Sequence, residues 1–400
     1  MWGDAPPAGL VVGQYEPQGT RRTGRRDMTA AKILVYTHGL VDGGAERLWA
    51  CLATAFKQRG YDVVFVQDFE ADDNRANLDA SIPLITLGSN HFRATWRLAD
   101  VLRHEKPDIA LSAVGGSNTK LLAAIALAGG DTRALISYHG YNEWKSGWLS
   151  WFTYLTLPFL SRISSRTIAV SEGLREELVK RWRSNPNKTI TIHNPVFFPA
   201  SAPVPSAEDL ARREPNLLAV GRFVPEKDFR TLLRAFARVR TPGAKLTILG
   251  KGPQRDMLER EVMRLGLAGR VSMPGYSREP WMAYALAKVF VLSSVSEPFG
   301  NVVVEAMAHG LPIVATACSG PLEILKHGVY GRIVSLEDEV QLANAIDDTL
   351  ADTGNPQLRR QRAEQFSFDV RVPAYTDLIA EVLAEKQAHV PAVGGTLASH

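Results

Sequence analysis

Two glutamates near one expected helix start have the types and spacing for ligand binding. Glu297 follows an apolar, β-branched run, 289–292, that predicts a buried strand. Gly300 then leads into 301–309, where the apolar positions predict a helix that carries Glu305. A helix start presents unpaired N–H groups and partial positive charge, which favour a phosphate. Because carboxylates repel phosphate, we expect the glutamates to hold hydroxyl groups on either side of a phosphate.

A sugar, a diphosphate and a ribose in a row match this description of the ligand. The two glutamates would then contact the two polar ends, while the helix start meets the charged middle. By their spacing alone, two solvated acids are the more common explanation, so this interpretation depends on what surrounds the segment.

Two cations near another expected strand end could bind the same charged group. The apolar run 216–220 predicts a strand that leads directly into Gly221, Arg222 and, after a proline-containing turn, Lys227. A diphosphate leaving group needs its developing charge neutralised, and cations and helix dipoles can do this where no persuasive metal motif exists. The alternative is two surface charges, which is weaker because the pair directly follows a buried strand.

The elements before these motifs predict an α/β fold. Strand 32–37 is followed by a loop containing Gly39, Gly43 and Gly44 and then by helix 47–59. These glycines do not have the G-x-G-x-x-G spacing, so the dinucleotide fingerprint is absent and a nicotinamide oxidoreductase ranks last.

Two further positions at strand ends could bind a ligand. The acidic segment 68–73 follows strand 62–67 and could bind a ribose or a metal, although a solvated loop is the more common outcome. His139 follows strand 134–138, and open α/β sheets hold ligands at such strand ends. From the residues alone, a structural role for His139 is equally probable.

Composition narrows the class of protein. The 400 residues are 45% hydrophobic and 22% charged, with a net charge of +4, which is typical of a globular protein and too weakly basic to predict nucleic-acid binding. Two cysteines, Cys51 and Cys318, indicate a reducing compartment. No run of about 20 apolar residues predicts a membrane span.

The motif Glu297–Glu305, with Gly221, Arg222 and Lys227 before it, resembles the retaining GT-B glycosyltransferases of family 4. The resemblance extends from Lys32 to Glu385. It implies two Rossmann-like α/β domains that face each other across a cleft. It also implies transfer of a sugar from a nucleoside diphosphate sugar to an acceptor hydroxyl, with retention at the anomeric carbon and without a cofactor or metal.

The resemblance also assigns roles to residues. Arg222 and Lys227 match residues that hold the donor diphosphate, Glu297 matches one that holds the sugar, Glu305 matches one on the ribose, and His139 matches one beside the transferred sugar. We therefore expect His139, Arg222, Lys227 and Glu297 to be catalytic. The expected donor-binding residues are Gly43, Gly44, Gly221, Arg222, Lys227, Gly275, Tyr276, Glu297, Pro298, Phe299, Gly300, Asn301, Val302 and Glu305.

The expected domain boundaries follow the composition and the resemblance. They are a disordered extension 1–27, an acceptor-side domain 28–200, a linker 201–215, a nucleotide-sugar-binding domain 216–365, a helix 366–388 that crosses back to the first domain, and a loose tail 389–400.

The resemblance favours synthesis of cell-surface polysaccharide, lipopolysaccharide or glycolipid, with a glycan or lipid-linked acceptor and no nucleic acid. The aromatic segment 141–165, bordered by cations, either packs in the core or contacts a membrane interface, so we expect a cytoplasmic location that includes the inner face of the membrane. Two alternatives use the same donor pocket: a sugar-nucleotide epimerase or hydrolase, and a non-catalytic binding subunit.

Overall fold

The structure is a computed structural model that describes residues 31–41, 44–71, 74–141, 148–198, 204–277 and 280–388. It contains two parallel sheets with helices packed between and around them, so the expected α/β class and GT-B architecture are confirmed. The expected extension 1–27, the tail 389–400 and Gly43 lie outside the described residues.

The first sheet has seven strands in the order β3-β2-β1-β4-β5-β6-β7. Its strands are β1 (Lys32–Thr37), β2 (Asp62–Gln67), β3 (Leu84–Thr86), β4 (Ile109–Ala113), β5 (Arg133–Tyr138), β6 (Arg166–Ala169) and β7 (Thr189–Thr191). The helices between them are α1 (Gly44–Gln58), α2 (His91–Glu105), α3 (Gly115–Ala128), α4 (Trp148–Ile163) and α5 (Glu172–Lys180).

The second sheet has six strands in the order β10-β9-β8-β11-β12-β13. Its strands are β8 (Asn216–Val220), β9 (Lys245–Leu249), β10 (Val271–Gly275), β11 (Val289–Leu292), β12 (Ile313–Thr316) and β13 (Arg332–Val334). The helices of this half are α6 (Ala207–Arg212), α7 (Phe229–Arg238), α8 (Arg255–Arg264), α9 (Trp281–Leu286), α10 (Asn301–Ala308), α11 (Ser319–Ile324), α12 (Glu339–Ala351), α13 (Pro356–Glu364) and α14 (Phe368–Ala388).

In both sheets, which are parallel throughout, the order of the strands reverses once. The first three strands extend the sheet to one side, and the fourth strand is added on the other side of the first. In the first sheet β1 pairs with both β2 and β4, and in the second β8 pairs with both β9 and β11. Loops leave such a pair of strands in opposite directions, which opens a crevice at their carboxyl ends where ligands bind. The fold therefore provides one crevice in each domain.

The expected linker 201–215 is not irregular throughout. Its described part contains α6, which begins after Ser206, whose side chain accepts a hydrogen bond from the backbone N–H of Asp209. Leu210 on this helix is fully buried. The high proline and alanine content of the segment predicted a linker, although Ser206 caps a short helix there and Leu210 packs in the core.

The last helix, α14, packs against the first domain. Its buried residues, including Val372, Ile379 and Val382, join the same apolar cluster as β1 and α1. Arg166 at the start of β6 forms ion pairs with Glu381 and Glu385 on this helix. Among the described residues, no helix has both the length and the apolar character needed to cross a membrane.

Candidate active site

The turn after β9 fixes the shape of the loop after β8. The backbone N–H of Phe223 donates to the carbonyl of Lys251 at 2.9 Å, and that of Gly221 donates to Leu249 at 2.9 Å. Gly250 has a φ of +155°, and a Cβ there would lie 1.8 Å from the carbonyl oxygen of Gly221. A side chain at this position would push the two loops apart, so glycine is needed for their close approach.

Lys227 lies at the end of a 3-10 turn, Pro225–Lys227, and points back toward the carboxyl edge of the sheet. Its Nζ donates to Oε2 of Glu297, which is buried in the loop after β11. The loops are also joined by Ser293, whose hydroxyl donates to the carbonyl of Lys227 at 2.9 Å. The structure thus brings the predicted lysine and glutamate together at the crevice between β8 and β11.

Arg222 lies in the same loop as Lys227 but is exposed. It forms no ion pair within the described part of the chain, so its guanidinium is available for a ligand. The two cations therefore border one crevice, and only Lys227 has an internal counter-charge.

The start of α10 faces this crevice. Gly300 caps the helix with a φ of +102°, and the preceding Phe299 is buried. Gly320 packs so closely that a Cβ there would lie 2.1 Å from the carbonyl oxygen of Phe299, and its N–H donates to the carbonyl of Glu297 at 3.1 Å. Pro298 lies between these anchored residues, so the backbone from Glu297 to Gly300 is held rigidly at the helix start.

Glu305 lies one turn inside α10 and is partly buried. The hydroxyl of Tyr284 donates to its Oε2 at 2.8 Å. Burial raises the pKa of Glu305, against the hydrogen bond from Tyr284 and the charge of Arg47, which lower it. Because Arg47 belongs to α1 of the other domain, Glu305 lies within electrostatic reach of the interdomain cleft.

Gly275 and Tyr276 end β10 at the same sheet edge. The carbonyl of Gly275 accepts a hydrogen bond of 2.9 Å from the backbone N–H of Gly250. The Nζ of Lys251 lies over the ring of Tyr276, 5.0 Å from the ring centroid. Tyr276 is half exposed, at 50%. An exposed aromatic ring at this edge is suited to contact with a nucleotide base.

The first domain contacts this site through two segments. Asn194 donates to the side-chain oxygen of Asn301 at 3.1 Å, and a Cβ on Gly44 would lie 3.7 Å from the Asn301 amide nitrogen. Gly44, expected in a loop, is the first residue of α1. Val302 is partly buried beside Asn301. The starts of α1 and α10 therefore face each other across the cleft.

Glu323, on α11, also joins the domains. Its Oε2 accepts a hydrogen bond of 3.0 Å from the backbone N–H of Glu172 at the start of α5, and its Oε1 contacts Nε2 of His193. The side chains of Tyr141 and Ser319 are hydrogen-bonded nearby. Glu323 therefore acts as an interdomain contact in this structure.

His139 lies directly after β5, as predicted, but its ring bonds within its own domain. Its Nε2 accepts from the indole N–H of Trp49 at 3.1 Å and lies 2.9 Å from the hydroxyl of Ser137. Burial lowers the pKa of His139 to about 4. The ring is therefore neutral at pH 7, and it has no charge to offer a diphosphate.

The start of the acidic segment 68–73 is not solvated, which corrects the commoner expectation. Asp68 is 1% exposed and contacts Tyr36, His38 and Lys120. One sign of this is visible in the sequence, since the apolar run 121–128 of α3 directly follows Lys120, whose charge needs a partner when it is buried. Among the described residues, no three His, Cys, Asp or Glu side chains are grouped so that they could hold a metal ion.

Other residues at the site were not predicted. The hydrogen bonds join Tyr284 to Glu305, Trp49 to His139 and Asn194 to Asn301. The three partners come from different parts of the chain. Their individual types and local patterns resemble those of core residues, so only the tertiary structure identifies these partners.

Two domains with crevices at their strand ends, one of them containing cations, acids and a helix start, define the class of GT-B nucleotide-sugar enzymes. Known families match each half. The profile described as "Glycosyl transferases group 1" matches residues 205–366, and that described as "Glycosyltransferase Family 4" matches residues 42–197. The chain belongs to the GT-B glycosyltransferases of the family 4 type.

Curated relatives match part of the chain. A segment of 174 residues is 38% identical to the lipopolysaccharide core biosynthesis glycosyltransferase LpsE of Rhizobium meliloti, covering 42% of this chain and 50% of the relative. A segment of 183 residues is 30% identical to an N-acetylgalactosamine-N,N'-diacetylbacillosaminyl-diphospho-undecaprenol 4-alpha-N-acetylgalactosaminyltransferase of Campylobacter jejuni, covering 46% and 50%. The chain thus spans about half the length of these curated relatives.

A solved structure matches the fold over most of the chain. Anabaena HepE in complex with UDP-glucose superposes with a TM-score of 0.74 at 21% identity, covering 88% of this chain and 99% of that chain. At this identity the similarity establishes the architecture.

Proposed function

We propose that the protein transfers a hexosyl group from a nucleoside diphosphate sugar to a hydroxyl of a glycan or lipid-linked acceptor, with retention and without a metal. The paired Lys227 and Glu297 at the start of α10 carry this proposal. They set a cation beside a carboxylate, as the junction between a phosphate and a sugar requires. The UDP-glucose in HepE supports a nucleotide-sugar donor.

In the proposed mechanism, the cations stabilise the leaving group. Lys227 and Arg222 would contact the diphosphate, and the N–H groups around Gly300 would add their dipole to the same charge. Glu297 would exchange its contact with Lys227 for sugar hydroxyls. Glu305, fixed by Tyr284, would bind the ribose, and Tyr276 would contact the base. His139, which is neutral, would lie beside the transferred sugar.

A donor screen by thermal shift tests this function. UDP-glucose, UDP-galactose, UDP-N-acetylglucosamine and GDP-mannose would be compared, with EDTA present to test metal independence. A donor at 100 times its dissociation constant stabilises the fold by about 2.7 kcal/mol. Failure of every nucleotide sugar and nucleoside diphosphate to shift the melting temperature would contradict the proposal.

Product analysis separates the transferase from the alternatives. Incubation of the donor alone would release free sugar from a hydrolase or an epimer from an epimerase, whereas we expect little of either. The anomeric configuration of the transferred sugar, read by NMR, tests retention directly.

We also infer that the enzyme works at the inner face of the cytoplasmic membrane, in lipopolysaccharide or related polysaccharide synthesis. The described part of the aromatic segment forms α4, with Tyr154 and Leu157 buried. Its outer face exposes Trp151, Phe152, Leu155, Phe159 and Ile163. Four of these recur at intervals of four residues, which makes one apolar stripe, here called the α4 stripe: Trp151, Leu155, Phe159 and Ile163. The diphospho-undecaprenol in the name of the Campylobacter relative supports a lipid-linked acceptor.

A further inference from the structure

The crevice of the first domain contains a buried charged cluster with one exposed member. We call Tyr36, His38, Asp68 and Lys120 the Asp68 cluster. His38 directly follows β1, Asp68 directly follows β2, and Lys120 lies on α3 after β4. The cluster therefore lies where the strand order of the first sheet reverses. Lys227 and Glu297 lie at the corresponding position of the second sheet.

Asp68 is held by donors from three directions. The Tyr36 hydroxyl donates to its Oδ1 at 2.7 Å, and Nδ1 of His38 and Nζ of Lys120 both contact its Oδ2, the first at 2.7 Å. Burial alone would raise the pKa of Asp68, but the hydrogen bonds from His38 and Lys120 and the charge of Lys120 outweigh it and lower the pKa. The carboxylate is therefore ionised and fixed in position.

The ionised carboxylate determines the tautomer of His38. Because an ionised Asp68 can only accept, Nδ1 of His38 carries the proton and donates to it, and in this tautomer the ring lone pair lies on Nε2. The side chain of His38 is 50% exposed, whereas those of Asp68 and Lys120 are buried. Phe69 and His91 contact the ring, with centroids at 4.8 and 6.1 Å, and restrict its orientation. Among the four side chains of the Asp68 cluster, His38 is therefore the one that a ligand in the crevice can reach.

The neighbouring strand end is strained. Val114, directly after β4, has a φ of 74° and a ψ of 140°, a conformation that β-branched residues rarely adopt. Such strain is concentrated at ligand sites. It occurs here directly after β4, the strand that pairs with β1, and β1 ends one residue before His38.

His38 is also connected to the proposed reaction centre. The loop that begins with His38 leads to Gly44, which faces Asn301 at the start of α10. His139 lies at the end of β5, two strands from β1, which corresponds to about 10 Å at 4.8 Å per strand. A ligand that reacts near His139 and extends along the sheet edge would reach His38.

We propose that His38 is an acceptor-binding residue whose Nε2 accepts a hydrogen bond from a carbohydrate hydroxyl of the acceptor, away from the reacting hydroxyl, and that Asp68 and Lys120 position its ring. A glycan suits this position because its hydroxyl groups can donate to the imidazole lone pair. This inference rests on the proposed transferase function and adds the site that holds the acceptor.

Oligosaccharide binding tests the proposal. Deacylated lipopolysaccharide core oligosaccharide, a hydroxyl-rich glycan, is titrated by calorimetry into the full chain saturated with UDP. His38→Phe keeps a ring between Phe69 and His91 but removes the acceptor nitrogen, and we expect binding about tenfold weaker. His38→Gln, whose carbonyl can accept in place of Nε2, should recover most of the affinity. His104→Phe, on the exposed far end of α2, is the matched control and should bind like the wild type.

Two measurements separate this proposal from the proposed function. UDP should bind equally to His38→Phe and to the wild type. If the wild type itself does not bind UDP, that result contradicts the proposed transferase function and not the acceptor role of His38. Equal oligosaccharide binding by the wild type and His38→Phe, or no binding by either, would overturn the acceptor role.

Imidazole ¹⁵N NMR tests the positioning role. The signals of His38 should show the Nδ1-protonated tautomer in the wild type and a tautomer mixture in a folded Asp68→Asn variant. An Nε2-protonated His38 in the wild type would overturn the proposal, because that nitrogen could not accept a hydrogen bond.

Discussion

The two domains have the same strand order around their reversal points but contain opposite arrangements of charge. In the second domain, Lys227 and Glu297 extend into the crevice, and Arg222 is exposed beside them. In the first domain, the ion pair of Asp68 and Lys120 is buried, and the ring of His38 is the half-exposed member of the Asp68 cluster. One fold therefore places charged groups at one crevice and an imidazole ring at the other, as the proposed charged donor and the proposed hydroxyl-rich acceptor would require.

The comparison predicts that the buried pair of the first domain matters most for stability. Asp68→Asn leaves the Lys120 ammonium buried without a counter-charge, and removing one partner of such a pair costs about 3–5 kcal/mol. Chemical unfolding followed by circular dichroism measures the loss. Asp100→Asn, which breaks an exposed pair with Arg103, is the control and should cost less than about 1 kcal/mol. Equal losses would show that burial of the Asp68 pair has no energetic consequence.

In the second domain, the corresponding lysine should matter most for turnover. In the proposed mechanism Lys227 stabilises the leaving diphosphate, so we expect Lys227→Ala to lower kcat about 10²–10³-fold with the fold retained. Steady-state assays with the donor found by the screen measure this. Lys245→Ala, exposed at the start of β9, should leave kcat unchanged. A variant at Lys227 with normal kcat at saturating donor would refute leaving-group stabilisation.

The tight loops of the second domain should resist substitution. Gly250→Ala places a Cβ within 1.8 Å of the Gly221 carbonyl oxygen, and we expect a loss of about 2–3 kcal/mol together with weaker donor binding, because the loops must separate. Gly129 in the first domain has a φ of +70°, and a Cβ there would have no atom within 4 Å. Gly129→Ala should therefore lower stability only by the backbone strain, about 1–2 kcal/mol. Thermal unfolding compares the two, and a larger loss at Gly129 would contradict the packing argument.

Membrane contact should depend on the first domain alone. Phe159→Ser in the α4 stripe, where the wild-type side chain is 62% exposed, should reduce sedimentation with phosphatidylglycerol vesicles about tenfold, since burial of a large apolar side chain is worth about 1.5–3 kcal/mol. Leu358→Ser on α13, where the wild-type side chain is 52% exposed, is the control in the other domain. If both variants bind vesicles like the wild type, the stripe is not the docking surface.

The smallest expected effect concerns acid stability of the second domain. The hydrogen bond from Arg264 lowers the pKa of Glu261 to about 2 from a usual 4.5. A lowered folded-state pKa stabilises the protein above the unfolded value, and this stability is lost as pH falls from about 4.5 to 2. Glu261→Gln should flatten the dependence of the free energy of unfolding on pH between about 4.5 and 2. The pH dependence of the stability of the first domain should stay unchanged. A curve of wild-type slope would contradict the assignment.

The same contrast explains what the sequence could predict. In the second domain, Arg222, Lys227, Glu297 and Gly300 lie within a few residues of strand ends, so a local pattern identifies the crevice they share. In the first domain, Asp68 and Lys120 are 52 residues apart and meet only in the folded chain. The predicted strands 32–37, 62–67, 134–138, 216–220 and 289–292 agree with the structure within one residue, because buried parallel strands are apolar runs.

The remaining misses have local causes. Helices α9 and α13 were not predicted: α9 is only 6 residues long, and the apolar pattern of α13 is interrupted by Arg359 and Arg360. These arginines are buried because they donate to the carbonyls of Gly310 and Ala308 at the end of α10. A charged residue that caps a neighbouring helix cannot be distinguished from a surface charge by periodicity.

A crystal structure of the full chain with an intact nucleoside diphosphate sugar, such as UDP-glucose, is the most direct test of the central claim. We predict the diphosphate within hydrogen-bonding distance of Lys227 Nζ and the Arg222 guanidinium, with the sugar at Glu297 and the ribose at Glu305. A donor bound with its diphosphate in the first domain's crevice at His38, or a Lys227 still paired with Glu297 and away from the donor, would contradict it.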